Sequence, residues 1–408
     1  MSEIESLNRA EQVLIWEQHT LLSHFQPIFS LPMGKRVGHE ALLRPHDAEG
    51  RPVSPLQFLQ KERSFDALLQ LDRTCHALHL RNFLQQSRDP SWLFLNMHPE
   101  VFLRAPHADF EHSFANQLDM LGFPRERLVV EVLEGAVREN AAFASAVAYF
   151  RELGCLIALD DFGAGHSNFD RVWRIQPEIV KLDRSLITQA ARDARVRRIL
   201  PQMVSLLHEA GAMVLMEGIE TLEEAHIALD ADVDFVQGFY FGRPAAQLAD
   251  TWQARVLING TWVISDQLWQ DERISHHQEM APYQNALGQV SVLLAAGKSM
   301  AEACGEFLAL PDTQFCYLLD GSGRQIGENV WAPHCLPTQK PQLAPLGDTR
   351  NARWSRRPYF SRAIEHFGRV QTTRPYLSLS VACLCRTISV AFRLGQDTFV
   401  LCGDVRTD

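Results

Sequence analysis

The sequence lacks the features that mark secreted, membrane-spanning and disulfide-bonded proteins. Its N-terminal segment, MSEIESLNRAEQVLIWEQHT, has no basic stretch leading into an apolar core, so it does not resemble a signal peptide. No uninterrupted apolar run approaches the ~18 residues that a membrane span needs. The 8 cysteines are scattered, and a long chain without an export signal keeps its thiols reduced. These absences predict a cytoplasmic protein with no membrane span.

An excess of basic charge is absent as well. The chain has 39 Lys and Arg residues against 49 Asp and Glu residues, which gives a net charge of -10. This balance argues against broad binding to nucleic acid, so no DNA partner is predicted, although a small phosphate ligand needs only local positive groups. With 408 residues, the chain is long enough for one large domain and a smaller one.

The sequence does have a series of short apolar runs that predict buried strands. Those in the first part of the chain are 24–29, 37–43, 93–96, 128–132, 156–160, 179–183, 213–217 and 235–238. Helix-length segments between the later runs favour a parallel β/α architecture, and this number of strands predicts a closed barrel. The first two runs are joined by SLPMGKR alone, which is too short for the crossover of about a dozen residues that parallel strands need. The sequence therefore predicts a modified (β/α)8 TIM barrel whose first strand is antiparallel.

Each of these runs ends at or near a polar residue. The residues of this series are Glu40, Asn96, Glu131, Asp160, Asp161, Lys181, Asp183, Glu217, Glu220 and Gln237. Gathered carboxylates repel one another unless a cation neutralises them, and barrel chemistry lies at the C-terminal strand ends. The oxygen donors, without His or Cys, suit Mg²⁺ or Mn²⁺ better than zinc: Glu40, Asn96, Glu131, Asp160, Asp161 and Glu217. Two such ions about 3.5–4 Å apart can drive an in-line phosphodiester displacement.

Two basic residues accompany the acids. Lys181 can hold an attacking water or neutralise developing charge, and Arg44, four residues after Glu40, can contact a phosphate in bidentate fashion. A simple ion pair with an acid is the alternative for Arg44. For Asp183 and Glu220, an equal alternative is that each supports a ligand-binding residue and does not contact the ligand itself.

Seven motifs together resemble the EAL domain family over about residues 15–250. In order, they read EALLR, FLNMHPE, EVLEG, DDFGAGHSNF, KLDRSLI, EGIET and QGFYFGRP. Family members hydrolyse cyclic di-GMP to linear pGpG, and their fold is a modified TIM barrel with an antiparallel first strand. The resemblance implies that the first metal is bound by Glu40, Asn96, Glu131 and Asp160. It implies that the second is served by Asp160, Asp161 and Glu217.

The resemblance also implies roles around the metals. Lys181 contacts the nucleophilic water, Glu217 is the candidate general base, and Asp161 is the third catalytic residue. The substrate pocket is completed by Gln26, Arg44, Asp183, Glu220 and Gln237. Glu134 positions the loop 162–169, which couples metal binding to dimerisation in the family, so a homodimer is expected. The segment 161–168 reads DFGAGHSN instead of the usual DFGTGYSS, whereas no metal-ligand position is altered.

The sequence changes in character after the barrel. We assign residues 1–250 to the EAL barrel, 251–306 to a helical linker and 307–408 to a smaller α+β domain. This last domain resembles PAS-like or Cache-like sensory modules, and the domain order looks like that of YkuI-type proteins. In the segment RWSRRPYFSRAI, the residues Arg353, Arg357 and Tyr359 can bind a small carboxylate or anion as a signal. A surface basic patch or a dimer contact is the alternative.

The sequence thus predicts a metal-dependent cyclic di-GMP phosphodiesterase that is regulated by its C-terminal domain. One rival function is that of a degenerate EAL domain that binds cyclic di-GMP as a receptor without cutting it. Receptors of this kind typically lose one or more of the acids, and all of them are present here. The other rival is a metal-dependent hydrolase that acts on a different phosphodiester.

Overall fold

The structure is a computed structural model that describes residues 13–407, except 60, 62–63, 88, 108–112, 134–140, 166–168, 249–250, 336–348 and 382. The chain divides into two compact units, with the boundary between Gln267 and Leu268. The division into three parts made from the sequence remains a prediction. In the part of the chain that the structure describes, no helix combines the length and the apolar character needed to cross a bilayer.

The first unit is built on a single sheet. Its strands are Val13–Trp16 (β1), His19–Ser30 (β2), Lys35–His46 (β3), Trp92–Asn96 (β4), Leu128–Leu133 (β5), Leu156–Phe162 (β6), Ile179–Leu182 (β7), Met213–Met216 (β8) and Phe235–Val236 (β9). They pair in chain order, and β9 returns to pair with β2, so that β2 to β9 close a barrel. The strand β1 forms a hairpin on β2 outside this barrel, and the sequence analysis did not predict it.

The first strand of the barrel runs against its neighbours, as predicted. β2 is antiparallel to β3 and to β9, whereas every other neighbouring pair in the barrel is parallel. The link between β2 and β3 is a tight turn in which the Gly34 N–H donates to the Leu31 carbonyl over 3.2 Å. Gly34 adopts a φ of 59°, a left-handed conformation that glycine enters without strain.

Helices surround the barrel. Those of the first unit are Pro55–Leu59 (α1), Phe65–Gln86 (α2), Pro99–Arg104 (α3), Phe114–Leu121 (α4), Ala141–Glu152 (α5), Phe169–Ile175 (α6), Arg184–Arg192 (α7), Ala194–Glu209 (α8) and Leu222–Asp230 (α9), followed by Thr251–Ala295 (α10), which runs past the unit boundary. Their apolar faces bury the outward residues of the strands. In this core the rings of Phe102 and Phe150 stack, with their centroids 5.2 Å apart.

A separate apolar layer fills the barrel interior. It takes one buried residue from each of seven strands: Ile28, Phe94, Val129, Ala158, Ile179, Leu215 and Phe235. These residues are at most 5% exposed. Side chains on a strand alternate between its faces, so the next inward position on each strand lies two residues away. This layer therefore forms a floor, and the residues two positions beyond it lie on top.

The second unit is an antiparallel sheet with helices on both faces. Its helices are Met300–Ala303 (α11), Gly305–Leu308 (α12) and Pro358–Glu365 (α13), and its strands are Thr313–Asp320 (β10), Gln325–Trp331 (β11), Gln371–Thr372 (β12), Tyr376–Leu377 (β13), Leu384–Leu394 (β14) and Asp397–Arg406 (β15). The strand order is β11-β10-β15-β14-β12, and β13 also pairs with β14. One face packs on the C-terminal end of α10, and the other face packs on α13. The predicted α+β architecture is thus confirmed.

Candidate metal centre

The predicted site residues lie one layer above the apolar floor of the barrel. On six strands they follow the floor residue by two positions: Asn96, Glu131, Asp160, Lys181, Glu217 and Gln237. Gln26 instead precedes its floor residue, Ile28, because β2 runs in the opposite direction. The alternation of side chains along each strand thus gathers these residues at one end of the barrel. In the parallel strands, this end is the C-terminal one, where barrel sites form.

Lys181 lies at the centre of the cluster and is 1% exposed. Its Nζ is 2.5 Å from Glu131 Oε1 and 2.7 Å from Glu217 Oε1. It is also 3.0 Å from Asp160 Oδ1 and 3.9 Å from Glu40 Oε1. One ammonium group therefore contacts carboxylates from four different strand ends and serves as their shared counter-ion.

The carboxylate of Glu40 is held by two amides. Asn96 Nδ2 donates to its Oε1 over 2.8 Å, and Gln237 Nε2 donates to its Oε2 over 2.7 Å. Burial alone would raise the pKa of Glu40, but the charge of Lys181 and these two hydrogen bonds lower it. Glu40 is thus fixed in one orientation and in its ionised form, as a ligand for a cation must be.

The paired aspartates come together through a β-bulge. Leu159 lies opposite Val180 and Phe162 opposite Leu182, so β6 has one more residue than β7 between these pairs. Within the bulge, Asp161 adopts a φ of 61°, and its N–H donates to Asp160 Oδ1 over 3.0 Å. Neighbouring side chains on a regular strand point to opposite faces. The bulge instead lets both carboxylates approach Glu217, and one ligand oxygen from each of the three lies within 4.8 Å of the others.

Burial keeps several of these acids close to protonation. It raises the pKa of Glu131 well above the ordinary value and raises that of Glu217 to about 8. The pKa of Asp161 is raised by burial and by the neighbouring charge of Asp160. For Lys181, burial would lower the pKa, but the surrounding carboxylates raise it well above the ordinary value. The charge of Lys181 alone therefore does not keep all of these acids ionised.

The remaining predicted residues lie around this cluster. Gln26 is directly opposite Glu40 in the β2–β3 pair, and its Nε2 donates to the Gly242 carbonyl over 3.3 Å. Arg44 is half-buried, and its Nη1 donates to the Leu43 carbonyl over 2.9 Å. Gln26 and Arg44 thus lie on the first two strands of the barrel, β2 and β3. Glu134 lies outside the described residues, as do 166–168 of the loop that it was predicted to position.

The structure gives Asp183 and Glu220 structural partners. β7 ends at Leu182, and Asp183 caps α7 by accepting from the Ser185 N–H over 3.0 Å. Glu220 is exposed, and its Oε2 forms an ion pair with Arg184 Nη2 over 2.9 Å. The supporting role that the sequence analysis held as the alternative for both residues stays a prediction. A role in substrate binding remains a prediction.

Sequence reasoning missed Gly238, which positions Gln237. A Cβ on Gly238 would lie 2.0 Å from the carbonyl oxygen of Ile219 and 2.3 Å from its nitrogen, closer than any side chain can come. This close approach lets the Ile219 N–H donate to the Gln237 carbonyl over 3.1 Å. A glycine directly after a predicted ligand-binding residue was the signal, because glycine is the residue that permits such close backbone contact.

The fold and the site define an α/β barrel protein with a cluster of acids at its strand ends. The family comparison makes this class specific, because residues 5–244 match the EAL domain family. The chain belongs to that family. The resemblance drawn from the seven motifs is therefore confirmed.

Curated relatives agree with this assignment. The chain is 27% identical over 248 residues to the bifunctional diguanylate cyclase/cyclic di-GMP phosphodiesterase MucR of Pseudomonas aeruginosa, covering 59% of this chain and 35% of MucR. It is 26% identical over 225 residues to the cyclic di-GMP phosphodiesterase RocR of the same species, covering 54% of this chain and 57% of RocR. The chain thus spans less than two thirds of either relative. The EAL-domain containing protein YkuI of Bacillus subtilis is 25% identical over 385 residues, covering 90% of this chain and 91% of YkuI.

Solved structures share the fold. The crystal structure of B. subtilis YkuI, in complex with its substrate c-di-GMP and calcium, matches with a TM-score of 0.79 at 21% identity, covering 95% of this chain and 96% of that one. Klebsiella pneumoniae BlrP1, in a complex with manganese and cyclic di-GMP, matches with a TM-score of 0.51 at 24% identity, covering 57% of each chain. The modified TIM barrel predicted from the sequence is thus confirmed.

Proposed function

We propose that this chain is a phosphodiesterase that requires divalent cations and hydrolyses cyclic di-GMP to linear pGpG. One observation carries the proposal: in a member of the EAL family, four carboxylates contact a single lysine at the C-terminal end of the barrel strands, and the carboxylate of Asp161 lies within 4.8 Å of two of them. Relatives named as cyclic di-GMP phosphodiesterases, among them RocR, support the substrate. So do the YkuI and BlrP1 structures, which hold this dinucleotide.

The chemistry of the cluster fits hard divalent cations. Its donors are carboxylate and amide oxygens, which Mg²⁺ and Mn²⁺ prefer. Lys181 supplies a single positive charge against five acids. Glu131 Oε2 is buried, and it accepts no hydrogen bond from a described residue. An added cation would satisfy this oxygen and would stabilise the ionised forms of the acids, which burial and mutual repulsion disfavour.

The proposal assigns two ions to the site. The first would be held by Glu40, Asn96, Glu131 and Asp160, and the second by Asp160, Asp161 and Glu217. When bound, such ions supply positive charge beside the scissile phosphate and make water more acidic. The β-bulge at Asp160 and Asp161 is the structural feature that favours this assignment, because it turns two consecutive carboxylates toward one place.

The reaction adds one water across a phosphodiester bond. The water oxygen forms a new bond to phosphorus, the bond from phosphorus to the 3′ oxygen breaks, and that oxygen leaves with a proton. Lys181 orients the attacking water, and Glu217, next to it, accepts the proton that the water gives up. The planar guanidinium of Arg44 donates bidentate hydrogen bonds to a phosphate. Gln26, Asp183, Glu220 and Gln237 complete the substrate pocket.

A direct assay tests this function. The full chain is incubated with cyclic di-GMP and Mg²⁺ or Mn²⁺, and the products are separated by ion-exchange chromatography. We expect pGpG to form, to disappear when a chelator is added, and to be suppressed by excess Ca²⁺, whose longer bonds and looser geometry suit this chemistry poorly. Binding of cyclic di-GMP without formation of pGpG would favour the receptor function and would overturn the enzyme proposal.

Matched variants make the assay specific. Asp160→Asn keeps the shape of the side chain but removes a charge shared by both proposed ions, so turnover should fall by at least about 100-fold. Glu209→Gln, at an exposed position in α8, should leave turnover unchanged. Competition by other cyclic dinucleotides measures substrate choice. A competitor hydrolysed faster than cyclic di-GMP would favour hydrolysis of a different phosphodiester.

Two finer parts of the proposal concern assembly and control. The chain acts as a homodimer, and the second unit responds to a small-molecule signal. The family resemblance supports the first part, and the separate compact unit 268–408 supports the second. Sedimentation of the full chain, with and without metal and cyclic di-GMP, tests the dimer. A monomer under every condition would remove that part of the proposal.

A further inference from the structure

The second unit contains a cavity on the sheet face that packs against α13. Its empty volume is about 330 Å³, including space that opens to solvent. Part of this space is open solvent, so the enclosed cavity is small. The cavity is lined by aromatic rings from both the sheet and α13, by one buried acid and by one arginine.

The buried acid is Asp404 on β15, which is 2% exposed. Its Oδ1 accepts from Thr387 Oγ1 over 2.6 Å, and its Oδ2 accepts from Ser378 Oγ over 3.0 Å. Tyr376 lies behind Thr387, with its hydroxyl 2.5 Å from Thr387 Oγ1, and donates to it because the threonine proton is already used. No ion pair joins Asp404 to any residue that the structure describes. Burial raises the pKa of Asp404 to about 6, so above this pH the cavity wall presents a negative charge with no cation beside it.

Aromatic rings surround this charge. Tyr317 and Tyr359 meet edge to face with their centroids 6.0 Å apart, and Tyr359 stacks against Tyr376 with a centroid distance of 6.3 Å. Trp354 also lines the cavity and donates from Nε1 to Gln325 Oε1 over 3.0 Å. The faces of such rings carry negative potential and attract cations. The rings and the carboxylate therefore select for the same kind of ligand group.

The opposite charge lies toward solvent. Arg357 lines the cavity and is exposed, with its guanidinium carbon 6.0 Å from the centre of the Trp354 ring. The two charges of the cavity are thus separated, with the negative one buried in the sheet and the positive one at the mouth. The sequence analysis grouped Arg353, Arg357 and Tyr359 as an anion site, but Arg353 is not part of this lining. The buried charge has the sign that attracts a cation.

We infer that this cavity is a binding site for a small molecule that carries a protonated amine. The ammonium group lies against Asp404 among the tyrosine rings, and a carboxylate, where the molecule has one, faces Arg357. The ligand has few non-hydrogen atoms because the cavity is small. The inference does not depend on phosphodiesterase activity, since it concerns residues of the second unit alone.

Four probes with three carbons each test whether the cavity binds an amine. The measurements use the full chain without metal or cyclic di-GMP. The probes are propylamine, 3-aminopropanoate, propanoate and 1-propanol, and binding is measured by calorimetry up to about 10 mM, which covers weak millimolar affinities. We expect both amines to bind, 3-aminopropanoate more tightly, and the two probes without an amine not to bind. Failure of both amines to bind would overturn the inference, as would propanoate binding as tightly as propylamine.

Two pairs of variants locate the binding. Asp404→Asn should weaken both amines at least about 10-fold, because the neutral amide removes the buried charge. Asp397→Asn, at an exposed position of the same strand, should not change affinity. Arg357→Gln should abolish the advantage of 3-aminopropanoate over propylamine, whereas Arg356→Gln, at the exposed neighbour, should keep it. The Arg357 variant keeps the test decisive if Asp404→Asn does not fold, and unchanged amine affinity in a folded Asp404→Asn chain would overturn the site.

Discussion

The Lys181 ammonium lies 2.5 Å from Glu131 Oε1, and both side chains are almost fully buried. The same ammonium also contacts Asp160 and Glu217. A single buried cation therefore stabilises a group of acids whose charges would otherwise repel one another. The stability of the barrel and the occupancy of its site are linked through this residue.

Replacing Lys181 should expose this link. Lys181→Met leaves the buried carboxylates without their counter-ion, so the free energy of unfolding without metal should fall by about 3–5 kcal/mol. Mn²⁺ should restore more stability to the variant than it adds to the native chain, because it supplies the missing positive charge. Urea unfolding with and without Mn²⁺ measures both effects. Lys35→Met, at an exposed position of β3, is the control and should change neither. Equal gains from Mn²⁺ in the variant and the native chain would contradict the shared counter-ion.

The left-handed backbone at Asp161 predicts a difference between two substitutions. Asparagine tolerates a φ near 61° better than alanine does, so Asp161→Ala should be less stable than Asp161→Asn by about 1 kcal/mol. Both variants should lose turnover, because both lack the carboxylate. Asp232, exposed and with the same φ of 61°, gives the matched pair. At this position too, Asp232→Ala should be less stable than Asp232→Asn by about 1 kcal/mol, whereas both variants should keep normal turnover. Equal stability of the two Asp161 variants would argue against backbone strain in the bulge.

Glu217 predicts how the stability of the metal-free chain depends on pH. Its pKa is about 8 in the folded chain, against 4.5 for the ordinary group, chiefly because it is buried. The folded chain therefore binds more protons than the unfolded chain between these values, and its free energy of unfolding should fall as pH rises through this window. The slope from one group is at most about 1.4 kcal/mol per pH unit. Urea unfolding in a chelator across this range measures it.

Two controls make the pH prediction specific. Glu217→Gln should reduce the slope but not abolish it, because the raised pKa values of Glu131 and Asp161 contribute with the same sign, whereas Glu209→Gln at an exposed position should preserve it in full. Saturating Mn²⁺ should also flatten it, because a bound cation keeps its ligands ionised. An unchanged slope in Glu217→Gln would assign the whole titration to other groups.

Gly238 predicts a large effect from a single methyl group. Gly238→Ala places a Cβ against the backbone of Ile219, so the segment that carries Gln237 must move. We expect a loss of at least about 2 kcal/mol of stability and a fall in turnover, since Glu40 then loses the amide of Gln237. Gly260→Ala in α10 is the control, because nothing lies within 4 Å of the position that its methyl group would take, and it should stabilise the chain by about 0.5–1 kcal/mol. Equal effects of the two substitutions would contradict the role of Gly238.

Much of the barrel could be predicted because its strands are strongly apolar and end in polar residues. The antiparallel first strand followed from the shortness of one link, and the gathering of the acids followed from the shared end of parallel strands. The hairpin of β1 was missed for a physical reason. Its turn contains Glu17 at a φ of 53°, and neither Glu17 nor Gln18 is one of the glycine or asparagine residues that signal such turns.

Other parts depend on geometry that residue patterns do not encode. The predicted strand 179–183 ran one residue too far, since Asp183 begins the next helix as its cap. An aspartate before a helical segment is the usual signal for a cap, but here it also continued an apolar run. The bulge at Asp161 could not be predicted, because it appears only as an extra residue relative to the neighbouring strand. The cavity around Asp404 needs strands and a helix that are distant in sequence.

The closing pair of the barrel is short. β9 contributes Phe235 and Val236 alone, which lie opposite Ser30 and Phe29 of β2. So short a seam opens locally at a lower free energy than the long β2–β3 pair beside it. Gln26 is on one side of this seam, and Gln237 directly follows the other. A nucleotide that contacts both amides would bridge β2 and β9. Substrate binding should therefore also protect the backbone amides of this strand pair from hydrogen exchange.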